Sequence, residues 1–295
     1  MAYETKIILD SVTPAGARLT TFQFTLPRIV LAEFNTHRML SRNSASSRAI
    51  PVDKQIQRVI ADPFIPRYFG KNQKGMQAGT ELEEEDRVRA MNAWMNLIDS
   101  AVKHAQVFKD IGLHKQLANR VLEVVNWHTI VCTATEYENY WGLRDNGQAA
   151  PEIRDSAHEG QELYRKSEPV LVKEGEWHLP YVTGFDVGTE AWTQDQLIAM
   201  SSGRCAAVSY LNQDNQLDPN GDIKRTWERL IPGGHMSPTE HPAQSLTREQ
   251  WIDVATQQCR SWIHNRVPVG NFWGWLQWRK TLSNEHDFNK IQKTA

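Results

Sequence analysis

The chain has 295 residues, 40% of them hydrophobic, which is enough for a substantial core in one large domain or two small ones. Its formal net charge of −2 gives no global basic field and so disfavours a binder of polymeric nucleic acid. No apolar run reaches the length of a membrane span, and the first residues lack a signal-peptide pattern, so a cytoplasmic location is expected.

In chain order, Lys6 to Leu9 and Leu19 to Leu26 read as strands, the second alternating at its centre. Pro27 to Met39 reads as a helix with proline in its first turn. Residues 51–82 carry scattered Pro, Gly, Lys and Gln and read as a long loop, a candidate lid. Glu83 to Asp110 is the clearest helix, with Val88, Met91, Met95, Ile98, Val102 and Ala105 on one apolar face and an acidic start suited to the helix dipole. His114 to Val125 reads as helix, Thr129 to Thr133 as a β-branched stretch, and Glu136 to Arg144 and Glu152 to Lys166 as helices.

Val170 to Val187 is rich in Gly and Pro and reads as a connection. Thr193 to Ala207 is helical and Asn212 to Gly221 a polar loop, after which Asp222 caps a short helix through Ile231. Thr247 to Gln250 is a capping box opening a helix to about His264. The mixture is α+β rather than regular βαβ alternation. A single catalytic domain is expected over residues 1–295, with 245–295 as a tryptophan-rich extension that holds five of the eleven tryptophans.

Three clusters carry chemistry. Residues 36–48, Thr-His-Arg-Met-Leu-Ser-Arg-Asn-Ser-Ala-Ser-Ser-Arg, hold three arginines, one histidine and four serines. Guanidinium forks and hydroxyls in such density suit an anion or nucleotide, although a solvated loop with capping serines has the same composition. Gly233-Gly234 precedes His235-Met236-Ser237-Pro238-Thr239-Glu240-His241. That spacing departs from the helical zinc pattern, so a loop offering side chains to a ligand is the better reading, with a turn and helix start as the plain alternative. Asn139 to Arg144, followed by Glu152-Ile153-Arg154, is the third cluster; its arginines suit either surface ion pairs or a nucleotide. Cys132, Cys205 and Cys259 are few and widely spaced, which fits a reducing compartment and small buried side chains rather than disulfides or catalysis.

Taken together, these clusters resemble the flavin-dependent thymidylate synthase family. The family's Arg-His-Arg, seven residues, Ser signature appears as Thr36-His37-Arg38 followed by Ser46-Ser47-Arg48. Its His-x-[Ser/Thr]-Pro-Phe-Glu-His block appears as His235 to His241. Its Ala-Ala-Arg-Val-Ser-Phe block appears as Cys205 to Tyr210, and its Asn-x-x-x-Leu-Arg and Glu-Ile-Arg as Asn139 to Arg144 and Glu152 to Arg154. Two blocks that precede the signature in compact members follow it here, as in a circular permutation. Thr36 stands for the first signature arginine and Ser44 for a glutamate.

The resemblance implies an α+β fold with motif blocks in permuted order and dUMP methylation at C5 to dTMP. It implies FAD, NADPH and methylenetetrahydrofolate as cofactors and co-substrates, with no enzyme thiolate. Ser46, Ser47 and Arg48 would hold the nucleotide phosphate, with Ser46 and Arg144 placed at the catalytic centre and Arg144 at the pyrimidine. His37, Arg38, Asn139, Ser209, His235 and Ser237 would contact FAD. A homotetramer sharing each flavin site between subunits is expected, with no metal. A related flavin-dependent hydroxymethylation and a non-catalytic nucleotide-binding role stay open.

Overall fold

A computed structural model describes residues 4–189, 192–208, 218–260, 269–287 and 289. Its centre is a five-stranded sheet in the order β3-β4-β2-β1-β5. Strands β1 (Glu4–Val12) and β2 (Arg18–Pro27) form an antiparallel pair, and β2 pairs antiparallel with β4 (Trp127–Ala134). Edge strand β3 (Ser41–Ser44) pairs antiparallel with β4, and the short β5 (Val170–Leu171) lies parallel to β1. A second sheet joins β6 (Trp177–His178), β7 (Ala243–Ser245) and β8 (Trp275–Gln277). The result is a mixed α+β fold.

Strand alternation gives the large sheet two different buried faces. On one, Phe22, Phe24, Ile130 and Cys132 pack against Tyr137, Tyr140, Trp141, Ile153 and Ala157. Those partners come from the turn before α5 (Glu138–Arg144), from α5 itself and from α6 (Pro151–Lys166). Gly160 permits the close approach of α6, because a Cβ there would lie 2.9 Å from the Phe24 ring. On the other face, Val131 meets Cys205 and Val208, at the end of α8 (Gln194–Ala207). Thr21 and Thr133 also face this side and hydrogen-bond each other at 2.7 Å. They continue a buried chain from Ser11 through His178 to Thr21, and from Thr133 to His241 Nδ1.

Several elements differ from the sequence reading. Pro27 to Met39 is not one helix: Pro27 closes β2, Arg28–Val30 form a 3-10 turn, and α1 (Leu31–Phe34) is a single helical turn. Sheet pairing through Pro27 and capture of the following loop by Arg42 and Arg144 override the apolar run. Within residues 51–82, read as a loop, α2 (Val52–Ala61) buries Ile56 and Val59 against α3 (Glu84–Asp110). On α3 the buried stripe is Ile98, Ala101 and Ala105, while Val88 and Met95 are exposed. The helix expected over His114 to Val125 is one turn, α4 (Lys115–Ala118), continued as a 3-10 segment through Val125.

Within Val170 to Val187, read as a connection, β5, β6 and the start of α7 (Gly184–Thr189) are ordered elements. Asp218, not Asp222, caps α9 (Pro219–Arg225); Asp222 sits inside that helix and pairs with the buried Arg204, which also grips Asp186. The Thr247 capping box is formed, opening α10 (Arg248–Arg260). Residues 212–217 of the polar loop and 261–264 at the expected end of the last helix lie outside the described residues. Among the described residues no helix is long and apolar enough to cross a membrane.

Candidate functional site

The loop between α1 and β3 is shaped by Arg42. Its guanidinium donates to the carbonyls of Asn35, His37 and Leu40 and to Asn35 Oδ1, at 2.8–3.1 Å. One of the three arginines in residues 36–48 is therefore consumed in building the loop. The loop presents His37, which is only 6% exposed. Arg144 Nε donates to His37 Nε2 at 3.0 Å, and His37 Nδ1 faces Asn139 Oδ1 at 3.2 Å. A guanidinium can only donate, so Nε2 is the acceptor and the proton is assigned to Nδ1. Burial, and then the Arg144 charge, push the imidazole below its ordinary pKa and keep it neutral. Tyr140 closes the arrangement edge-on, with ring centroids 5.0 Å apart.

Arg144 is held from the other side by Glu33, whose Oε2 and main-chain oxygen accept at 3.1 and 3.3 Å, and by Thr36 Oγ1 at 3.2 Å. Thr36 is thus a small acceptor beside this guanidinium. Glu33 was not singled out by sequence; its position one helical turn before His37 is the signal that could have found it. A cleft of about 350 Å³ opens here, lined by residues 36–40 with Glu136, Glu138, Asn139 and Tyr140. It brings His37, Arg38 and Asn139 together.

Ser46, Ser47 and Arg48 lie on a tight turn further along. Asn119 Nδ2 donates to the carbonyls of Ser47 at 2.7 Å and Ile50 at 2.9 Å, and Lys115 Nζ donates to that of Ala49 at 3.0 Å. The two serines are half-buried and Arg48 is exposed. Asn119, also missed by the sequence reading, is what makes this turn rigid.

The His235 to His241 block sits on the opposite side of β3. Ser237–Glu240 form a 3-10 turn, and Ser237 Oγ donates to Asn43 Oδ1 at 3.3 Å, joining segments 194 residues apart. His235 is exposed and His241 is buried on Thr133. Tail residues lock this turn: Gln277 Nε2 donates to Ser41 Oγ and to the Glu240 carbonyl, and Arg279 pairs with the Glu240 carboxylate. The permuted blocks therefore meet along one edge strand. Neither His235 nor Ser237 lines the His37 cleft, however, and Ser209 lies outside the described residues.

Cys132 and Cys205 are fully buried, and burial pushes both thiols up, Cys132 to about 12. Neither is poised as a thiolate nucleophile.

Comparison with known proteins gives the family to which the chain belongs. Residues 13–170, more than half of the chain, match the family model "Thymidylate synthase complementing protein". The chain belongs to that family. Among solved structures it is similar to the UMP/dUMP methylase PolB from Streptomyces cacaoi bound with 5-Br UMP, at 14% identity over 57% of this chain and 90% of that one, with a TM-score of 0.47. It is also similar to the same methylase bound with 5-Br dUMP, at 17% identity over 52% and 68% of the two chains, with a TM-score of 0.41. No curated protein matches the chain.

Proposed function

We propose that the protein methylates dUMP at C5 to give dTMP, using FAD, NADPH and methylenetetrahydrofolate, as a homotetramer. The observation that carries this reading is the neutral His37 held between Arg144 and Asn139 at the mouth of a cleft, inside the region that matches the family. Reduced flavin, when bound, supplies hydride and takes part in methylene transfer.

The chain's own residues position the reactants. His37, Arg38 and Asn139 offer one acceptor-donor face to the flavin. At about 350 Å³ their cleft is at the small end for a ligand site, so it suits part of a dinucleotide. Ser237 and His235 lie across β3 from it, and Ser209 belongs to the same resemblance; together they suit a flavin contact from a second subunit. Ser46, Ser47 and Arg48 bind the nucleotide phosphate. Arg144, fixed by Glu33, Thr36 and His37, places a guanidinium where negative charge develops on the pyrimidine.

Mixing two variants tests this. His37→Ala and His235→Ala should each lose bound FAD absorbance after reconstitution with the oxidised cofactor. Hybrids assembled from both chains should recover part of it, because some sites then combine two intact halves. Failure of the wild-type protein to bind FAD at micromolar concentration would end the flavoenzyme reading.

A further inference from the structure

The segment after Val269 lies beyond the region that matches the family, yet it grips the loop carrying His235 and Ser237 at both of the loop's ends. At the start, the buried Asn284 donates from Nδ2 to the Ile231 carbonyl at 2.7 Å. Ile231 and Leu282 lie against one apolar cluster, which Trp278 forms with Ile198 and Ala199 of α8. At the other end, the buried Gln277 uses both sides of its amide. Its Oε1 accepts from the Asn271 amide at 3.1 Å, and its Nε2 donates to Ser41 Oγ at 2.9 Å and to the Glu240 carbonyl at 3.2 Å. Arg279 adds an ion pair with the Glu240 carboxylate, and the Trp278 amide donates to the Pro242 carbonyl at 2.9 Å. Between these clamps His235 is exposed, and among the described residues its imidazole has no hydrogen-bond partner.

A loop clamped at both ends has few conformations left, so its exposed side chains keep one position and a ligand need not order them on binding. We infer that the C-terminal segment, Val269 to Glu285, is part of the flavin-binding half-site, with Asn284, Gln277 and Arg279 as positioning residues for His235 and Ser237. This rests on the reading of His235 and Ser237 as flavin contacts. Loss of one clamp lowers the fraction of molecules whose loop is competent, and the apparent dissociation constant rises by the inverse of that fraction. Gln277 holds three buried bonds, so its replacement would loosen the fold as a whole. Arg279 isolates the effect better. It is half-buried, and its other partner, Glu285 at 3.2 Å, keeps Lys280 at 2.8 Å, so the change falls mainly on Glu240.

The test compares Arg279→Gln, Arg279→Lys, Asn284→Ala and His235→Ala with the wild type by equilibrium titration with oxidised FAD and, separately, with dUMP, beside thermal melting. Arg279→Gln and Asn284→Ala should each raise the FAD dissociation constant about three- to thirtyfold, the weight of one or two hydrogen bonds. Both should bind dUMP within about twofold of the wild type, since neither residue touches the serine turn. Both should melt roughly a few degrees lower than the wild type. Arg279→Lys should recover most of the FAD loss, because the Glu240 carboxylate is again paired. If either folded variant, Arg279→Gln or Asn284→Ala, binds FAD as the wild type does, that end of the tail supports only the fold and the two-ended clamp is refuted. If FAD and dUMP weaken together, the loss is general and the inference is likewise refuted. If His235→Ala leaves FAD affinity unchanged, the flavin reading of the loop is itself wrong, and the inference falls with it.

Discussion

Arg144 Nε and His37 Nε2 are 3.0 Å apart, and this bond fixes both partners. It assigns the histidine's proton to Nδ1, toward Asn139, and aims the rest of the guanidinium at Glu33 and Thr36. Replacing Arg144 with Gln removes a charge-assisted donor worth about 1.5–3 kcal/mol. We expect kcat/KM for the nucleotide to fall about ten- to a hundredfold, and the melting temperature to drop by roughly a few degrees because Arg144 also ties down the loop after α1. Steady-state kinetics on the folded variant beside thermal melting checks this; unchanged kcat/KM in the folded variant would assign Arg144 to structure alone.

At the serine turn, Arg48→Ala should raise the dUMP dissociation constant by about one to two decades, on the same energetic scale. Lys103→Ala, an exposed cation on α3, should change it less than twofold. Equal small effects from both changes would show that Arg48 does not meet the phosphate.

Catalysis should survive without the buried thiols. A Cys132→Ala, Cys205→Ala double variant is expected to keep turnover within about tenfold of wild type if flavin is loaded, since burial already holds both groups protonated. Complete loss in a folded, flavin-loaded variant would instead indicate a thiol nucleophile.

Acid should destabilise the fold in a defined window. His128, His178 and His241 are buried with pKa values lowered to about 3, against an ordinary value of 6.5. Below about pH 6.5 the unfolded chain takes up protons that the folded chain refuses, so stability falls as pH drops from there toward 3. Each histidine contributes up to about a tenfold change in the folding constant per pH unit. Chemical denaturation at pH 7.5, 6 and 5 should show this slope. A flat profile would mean that these rings are protonated in the folded protein.

Much of the scaffold was legible in sequence because it follows local rules. Alternation marks β2, and Thr247 with Gln250 announces α10 through side chains that reach back to the backbone. What escaped is what tertiary contacts impose. Ser41-Arg42-Asn43-Ser44 has no strand-like composition and becomes β3 because β4 offers an edge, with Gln277 and Ser237 reaching its buried side. The motifs contained His37, Asn139 and Arg144, but not Glu33, whose carboxylate and carbonyl hold Arg144, or Asn119, whose amide holds the serine turn's carbonyls. Nor did they show that Arg42 is spent on carbonyls while Arg48 is exposed.

The central claim is that this constellation methylates a pyrimidine nucleotide through flavin. The most direct measurement is the mass of the product after incubating FAD-loaded protein with NADPH, methylenetetrahydrofolate and dUMP, with UMP in a parallel reaction. The account predicts dTMP, a gain of one methyl group at C5 of dUMP, formed only when all components are present. Unchanged dUMP from flavin-loaded protein, or a hydroxymethylated nucleotide in place of dTMP, would contradict it.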